Sequence, residues 1–456
     1  MRVLLVSANR ELLPSAAVPL GVLTMAGALR HAHEVEVLDL CFEADPIAAL
    51  EAKVRSYRPD AIGVGLRNLH SNTGAESEAL FGYYADLVRT IRGVSQAPLI
   101  LGGSGFSLRP STLLESLGAD YGVIGEGERA FPALLEQLAA GGTPPRLING
   151  AAYSPTLVRA SLKLPTREAA TELDQLPRPA RDLVDPRYYE FDGTDNLQTK
   201  RGCAFECSYC DYPDIEGHRV RLRSPAAVAE EAVARAAVPG VTHLFIVDSV
   251  FNVPRSHALS VCRELSARGF DLPWVCYLSP HGFDDELAEA MARAGCVGVE
   301  IGSDSGTERG LRQLRKPFSL ADIERASQLC KTHGILDCHT FVLGALDETA
   351  EEVQETLAFV DQLDPAVAVF MVFMEDREQA EVSHARHRDG ILRLLAREAP
   401  RHGGWVVPEL NIRFGAKITR LVEQRRLRGP SWLYLAQRLL GYHASESRIP
   451  RLKAFT

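Results

Sequence analysis

Short apolar runs alternate with amphipathic helical stretches along most of the chain, and that alternation leaves few folds open. In the first 148 residues, strand-like runs at 3–6, 35–38, 61–66, 98–102 and 121–124 are separated by helical spacing at 20–29, 47–57, 81–92, 113–117 and 130–140. Strands that take turns with helices at this spacing pair in parallel, because each crossover carries a helix over the sheet. The expected fold is a doubly wound α/β sheet. Its glycine turns, Gly102-Gly103-Ser104-Gly105 and Gly125-Glu126-Gly127, follow strands and fall on the carboxyl edge, where such sheets bind ligands. Neither turn fits a dinucleotide fingerprint or a phosphate loop.

Residues 149–192 break the rhythm. Pro155, Pro165, Pro177, Pro179 and Pro186 recur among charged residues, as expected of a linker. From 193 to 375 the βα pattern returns, with six strand candidates at 197–199, 244–248, 274–277, 298–301, 338–343 and 367–373. Six are too few for a closed eight-stranded barrel and suit an open, partial one, with chemistry at the carboxyl ends of the strands. The last segment, 376–456, reads as a small helical domain. It holds sixteen Lys and Arg against eight Asp and Glu, and Trp432, Leu435, Ala436 and Leu439 share one helical face. That basic excess fits either a docked subdomain with a solvated face or a collar for an anionic substrate.

Overall charge and hydropathy narrow the class. Fifty basic against 59 acidic residues give a net charge of −9, so nucleic acid is not an expected partner. The longest apolar run, 366–374, falls far short of the roughly 18–20 residues of a membrane span. The N-terminus reads straight into a strand without signal-peptide organisation, so the expected location is the cytoplasm.

Six of the nine cysteines (Cys41, Cys262, Cys276, Cys296, Cys330, Cys338) sit in apolar segments as small buried hydrophobes. The other three are crowded into Gln198-Thr-Lys-Arg-Gly-Cys203-Ala-Phe-Glu-Cys207-Ser-Tyr-Cys210-Asp. Zinc wants four ligands, and no fourth cysteine or histidine stands at finger spacing; His218 lies eight residues on. A 4Fe–4S cluster takes one thiolate per iron, so three cysteines leave one iron open for chemistry.

Cys-x3-Cys-x2-Cys with an aromatic before the last cysteine, Tyr209, resembles the radical S-adenosylmethionine (SAM) superfamily, and it follows the first strand of the partial barrel as in that family. Leu244-Phe-Ile-Val-Asp248-Ser-Val-Phe-Asn252 resembles the second-strand element. Val299-Glu300-Ile-Gly302-Ser-Asp-Ser305-Gly resembles the fourth-strand motif that touches SAM, and Phe341-Val-Leu-Gly344-Ala-Leu-Asp-Glu348 is similar to the fifth-strand motif. The resemblance implies a 4Fe–4S cluster on Cys203, Cys207 and Cys210, with SAM contacted by Tyr209, Glu300 and Ser305 and also by Asp248 and Asn252. It further implies a flavodoxin- or ferredoxin-type electron donor. Glu300 read from its strand position alone also fits a core carboxylate.

The first domain, with the segment Leu173-Asp-Gln-Leu-Pro177-Arg-Pro179-Ala-Arg-Asp182, resembles the Rossmann-like cobalamin-binding domain and linker of one large radical SAM subclass. Gly102, Gly103, Ser104, Gly105, Gly125, Glu126 and Gly127 are its expected cobalamin contacts. The chain departs from the Asp-x-His-x2-Gly pattern of other cobalamin domains. Ala8-Asn-Arg-Glu-Leu-Leu-Pro14 has no histidine, and Asn68-Leu-His70-Ser-Asn-Thr73 lacks both Asp and Gly. Arg67, Asn68 or Leu69 is then expected beneath the corrin, with no protein imidazole on cobalt. The implied activity is C-methylation, from SAM through methylcobalamin to a carbon of a small-molecule or peptide natural-product intermediate. A non-methylating cyclisation, oxidation or ring rearrangement on the same scaffold is the alternative.

Overall fold

The computed structural model describes residues 1–69, 77–141, 152–153, 170, 172–345, 347–373, 382–439 and 441. His70 and Thr73, Pro155 and Pro165 of the linker, Leu346 and the tail from 442 lie outside the described residues. The chain divides into two compact units. The first comprises Met1–Leu12, Val18–Arg187 and Asp211–Arg221, and the second comprises Leu13–Ala17, Tyr188–Cys210 and Leu222–Thr456.

The first unit is built on strands β1 (Arg2–Ser7), β2 (Glu34–Asp39), β3 (Ala61–Gly65), β4 (Leu99–Gly102), β5 (Tyr121–Val123) and β6 (Ala152–Tyr153), in the order β2-β1-β3-β4-β5-β6. The first five are parallel, and β6, inside the segment read as linker, adds an antiparallel edge. Side chains alternate between two cores, as the pleat requires. Leu4, Val6, Ile62 and Val64 pack with Leu50, Val54, Leu87 and Ile91 of the helices Pro46–Tyr57 and Ser77–Val94. Val3, Leu5, Ala61 and Ile100 pack with Ala26, Leu29, Phe131 and Leu134 of the helices Leu20–Leu29 and Ala130–Ala139. Helices on both faces explain why the strands read as continuous apolar runs.

The proline-rich stretch before Arg187 is a packed strap rather than a free connection. Ala180 N donates to Leu23 O at 2.9 Å, and Arg30 makes a two-pronged pair with Asp182 at 2.7 Å on both oxygens. Gly27 permits the approach, since a Cβ there would lie 2.1 Å from the Arg178 carbonyl oxygen.

The second unit holds β7 (Thr194–Leu197) and the short strand β8 (Lys200–Arg201); β9 (Arg221–Leu222) falls where the chain re-enters it, and then come β10 (His243–Ile246), β11 (Trp274–Leu278), β12 (Cys296–Asp304), β13 (Leu336–Leu343), β14 (Val367–Val372) and β15 (Trp405–Val406). Its main sheet is seven-stranded and parallel, in the order β15-β14-β13-β12-β11-β10-β7. The first strand lies earlier than its apolar run suggests. Asp195 on it is buried and satisfied by Arg235 Nε at 2.6 Å and Tyr189 Oη at 3.1 Å, so polar residues occupy a core strand. The seventh strand comes from the region expected to be wholly helical, because two residues are too few to show a period.

One face of this sheet carries helices, with Phe341, Leu343 and Phe370 packed against Ile323, Val353 and Val360 of the helices Leu320–His333 and Ala350–Leu363. On the other face, Phe245, Val275, Leu336 and Val367 are covered by Trp432, Leu433, Leu435 and Ala436 from the C-terminal segment. The N-terminal residues Leu13–Ala17 also belong here: Ser15 Oγ and Ala16 N donate to Asp192 Oδ2 at 2.6 and 3.1 Å, and Ser431 N donates to Pro14 O at 2.8 Å. Among the described residues no helix is long and apolar enough to cross a membrane.

Replacing Gly27 by Ala drives a methyl group into backbone, which has nowhere to relax cheaply. The expected cost is about 1–3 kcal/mol, read as a lower melting temperature of the full chain; an unchanged melting curve would show that the strap is not tightly held.

Candidate functional site

In the first unit the expected ligand residues gather at the carboxyl ends of β3, β4 and β5. The stretch after β3 is pinned from two sides. Gly105 N donates to Leu66 O at 3.0 Å and Ser104 Oγ to Arg67 O at 2.8 Å, while Tyr84 Oη donates to Asn68 O at 2.8 Å. Gly103 has φ +95°, and a Cβ on it would lie 2.6 Å from Leu66 O, so only glycine lets the two turns meet. With its backbone fixed, Arg67 keeps an exposed side chain, and Asn68 and Leu69 are half-buried. Gly125, at φ +70°, donates its N–H to Ser107 Oγ at 2.9 Å.

Glu126 is engaged within this unit. Its carboxylate pairs with Arg221 at 2.6 Å and accepts from Ala170 N at 3.0 Å. Gly127 packs close to Met25, whose sulfur a Cβ would approach to 2.7 Å. The edge is thus rimmed by small residues, with the exposed Arg67 side chain beside them. The described stretch between β1 and the helix Leu20–Leu29 supplies no histidine. These features fit a large planar ligand laid on the edge without an imidazole beneath it.

In the second unit the cysteine loop is gripped at its start, middle and end. Asp248, just past β10 and fully buried, accepts from Thr199 N at 2.7 Å, Thr199 Oγ1 at 2.5 Å and Lys200 N at 3.2 Å. The buried Lys200 ammonium lies 3.8 Å from Asp248 and donates to Phe251 O and Val253 O at 2.5 and 3.0 Å. Asn252 donates to Ser279 O and His281 O at 2.9 and 3.0 Å and accepts from Ser279 N at 2.9 Å. Asp248 and Asn252 therefore spend their hydrogen bonds on positioning the loops. Further on, Phe205 sets its ring edge against His281 at 5.9 Å, and Ser208 N and Oγ donate to Leu314 O and Gln313 O at 3.1 and 3.2 Å.

Cys203, Cys207 and Cys210 form no disulfide and are half-buried within that loop. No three His, Cys, Asp or Glu side chains among the described residues close on a single ion. Three thiols grouped on one short loop, yet not gathered around a point, suit a multi-iron cluster that takes one thiolate per iron.

Beside the loop stands a group that the sequence reading did not single out. Asp304, at the end of β12 with φ +63°, accepts from Tyr209 Oη at 2.6 Å and pairs with the Lys316 ammonium. Lys316 Nζ is also 3.8 Å from Cys207 Sγ and 3.4 Å from Tyr209 Oη. A cation, a carboxylate and a phenol thus stand together beside the Cys207 thiol. The signal for Asp304 was its place at a strand end, where a non-glycine residue takes the left-handed conformation; Lys316, twelve residues on, gave none.

Ser305 lies one residue further. Its Oγ accepts from Thr307 N at 3.2 Å and stays buried in the turn that opens the helix Glu308–Gln313. Glu348 folds back so that Gly344 N donates to its carboxylate at 2.5 Å, and burial pushes its pKa up to about 7. Glu300 sits mid-strand on the face away from the helices. Trp432 Nε1 donates to its Oε1 at 2.7 Å, and burial, only partly offset by that bond, pushes the carboxyl up to about 7. Ser303, His339 and Asp337 also form a hydrogen-bonded chain of 2.7 and 3.2 Å, but all three are buried against the helices, sealed from any substrate.

Comparison with known proteins agrees with both halves of this picture. Residues 9–135 match the B12 binding domain and residues 197–360 the radical SAM superfamily. Tryptophan 2-C-methyltransferase of Streptomyces laurentii is 30% identical over 433 residues, spanning 81% of this chain and 71% of that protein. Cytidylyl-2-hydroxyethylphosphonate methyltransferase of Streptomyces wedmorensis is 26% identical, spanning 79% and 76%. The radical SAM methyltransferase TsrM from Kitasatospora setae, solved with cobalamin and a [4Fe-4S] cluster, superposes with a TM-score of 0.69 at 30% identity, over 81% of this chain and 72% of that one. A second TsrM structure contains tryptophan and the SAM analogue aza-SAM. Similarity of this extent runs through both units at once, and the chain belongs to the cobalamin-dependent radical S-adenosylmethionine methyltransferases.

Proposed function

We propose that the protein moves a methyl group from SAM, by way of cobalamin, to a carbon centre of a small-molecule or peptide natural-product intermediate. One observation carries the reading: a loop of three cysteines outside any disulfide and a glycine-rimmed sheet edge without a described histidine occur in one chain. When bound, the cluster supplies electrons to SAM and cobalamin carries the methyl group. Cys203, Cys207 and Cys210 hold the cluster, and Asp248 with Lys200 fixes the chain entering their loop.

Tyr209 and Ser305, together with Asp304 and Lys316, form the side of the site where SAM is held. Lys316 offers a cation to a carboxylate and Asp304 an acceptor to hydroxyl or amino groups. Glu300 and Asn252 stand further back. In the first unit, Arg67, Asn68 and Leu69 with Gly102–Gly105 and the Gly125–Gly127 turn would hold cobalamin, with Arg67 offering it a cation and no described histidine offering an imidazole. Nine cysteines without a disulfide among them and the need for a low-potential electron donor of flavodoxin or ferredoxin type support work in a reducing compartment, the cytoplasm.

Anaerobic reconstitution with iron, sulfide and hydroxocobalamin should load about four irons and one cobalt per chain. Cys203→Ala, Cys207→Ala or Cys210→Ala should lose most of the iron and keep the cobalt; iron retained by all three variants would refute the ligand set. In the Co(II) state, the bound cobalamin should give an electron paramagnetic resonance spectrum without nitrogen superhyperfine splitting. Splitting in the unaltered protein would reveal an imidazole ligand and overturn the assignment of Arg67.

A further inference from the structure

The inner face of the barrel sheet changes character along its strands. Its lower layer, Phe245, Val275, Leu336 and Val367, is buried under the C-terminal segment. Above it the same face opens: Val247, Thr340, Val369 and Met371 are half-buried, and Tyr277 is 42% exposed. Residues of the opposite face at the same heights, such as Val299, Ile301, His339 and Phe341, are fully buried. An accessible aromatic on an interior strand, above a floor that is sealed, leaves this end of the face open to a ligand.

Glu300 lies in this layer, level with Tyr277 on β11 and Cys338 on β13. It is the one carboxyl among the described strand residues of this face below Asp304. Its recorded hydrogen bond comes from Trp432 to Oε1, leaving Oε2 for a ligand. Trp432 also forms the floor, with its ring tip where a Cβ on Gly298 would stand at 2.6 Å. The C-terminal segment thus both closes this face below and holds the Glu300 carboxyl in place.

We propose that Glu300 is the substrate-recognition group of this face and that it takes an amine: a small molecule with an apolar or aromatic body against Tyr277 and a protonated nitrogen on Glu300 Oε2. Trp432 acts as its positioning residue. The inference deepens the methyltransferase reading by naming a substrate class and assigns Glu300 to substrate rather than to SAM. An acid in apolar surroundings prefers a partner that brings its own charge, because a lone carboxylate there is costly. Facing Glu300 are Trp432, the Tyr277 ring and the buried Cys338 thiol; burial pushes that thiol's pKa well up, so it stays neutral. Since burial raises the Glu300 pKa to about 7, amine affinity should climb as pH rises through 7, where the carboxyl ionises and the amine remains protonated.

The test uses cluster- and cobalamin-loaded full-length protein with two probes of one shape, 2-phenylethylamine and 2-phenylethanol, measured by isothermal titration. The amine should bind about tenfold more tightly above pH 7, and Glu300→Gln should collapse that ratio to near one. Trp432→Phe removes a bond that favours the charged form, so the pH midpoint of amine binding should move up. A merely structural tryptophan would weaken both probes alike and leave the midpoint in place. Equal binding of the two probes, binding of neither, or an unchanged ratio in Glu300→Gln overturns the proposal. S-adenosylhomocysteine formation by the same loaded protein judges the methyltransferase reading separately.

Discussion

The barrel rim hangs on one buried carboxylate. Asp248 accepts from both polar groups of Thr199 and from the backbone of Lys200, and the Lys200 ammonium beside it ties down two carbonyls of the next loop. A buried acid left without these donors would cost several kcal/mol, and so would the lysine without its acceptors; each makes the other tolerable. From this pair a line of hydrogen bonds runs round the rim. Asn252 reaches Ser279 and His281, and His281 Nδ1 lies 3.0 Å from Pro317 O. Ser208 returns the line to Gln313 and Leu314. The three thiols are presented on a loop that has little freedom left to lose when a cluster forms, which lowers the entropic cost of ordering them.

The two faces of the barrel sheet show that environment, rather than residue type, separates structural groups from chemical ones. Ser303, His339 and Asp337 have the residue types and contacts of a nucleophile–base–acid set, yet their place against the helices makes them a buried brace, with Ser327 closing the far end on Asp337 at 2.6 Å. Glu300 and Asp304 lie on the neighbouring strand β12. Asp304 stands at the strand end beside the cysteine loop, and Glu300 stands two layers lower above an indole floor. A shift of one residue in register would send either carboxylate into the helix layer.

Much of this was legible in the sequence. The parallel sheets followed from apolar runs alternating with helical spacing, and the cysteine loop followed from spacing alone. What escaped did so for local physical reasons. Strand β7 carries Thr194, Asp195 and Asn196, polar residues that give no apolar run, and Arg235, which neutralises Asp195, lies 40 residues away. The strap before Arg187 reads as linker because its contacts, the Arg30–Asp182 pair and the Ala180–Leu23 hydrogen bond, join positions about 150 residues apart. Asp304 and Lys316 meet Tyr209 across roughly a hundred residues, so no window of sequence contains the group. Asp248 and Asn252 were visible as polar residues in an apolar stretch, but their role in bracing loops needed the fold.

The division of the chain into units carries a consequence for its covalent topology. Leu13–Ala17 leaves the first unit to join the second, held there by Asp192 and Ser431, and Asp211–Arg221 returns to the first, where Arg221 pairs with Glu126. The backbone therefore passes between units five times, with Cys210 at the brink of one crossing. No single cut can release either unit whole. The cobalamin sheet and the cysteine loop are inherited, made and degraded as one object, and a lineage could not exchange one half for another by a simple joining of ends.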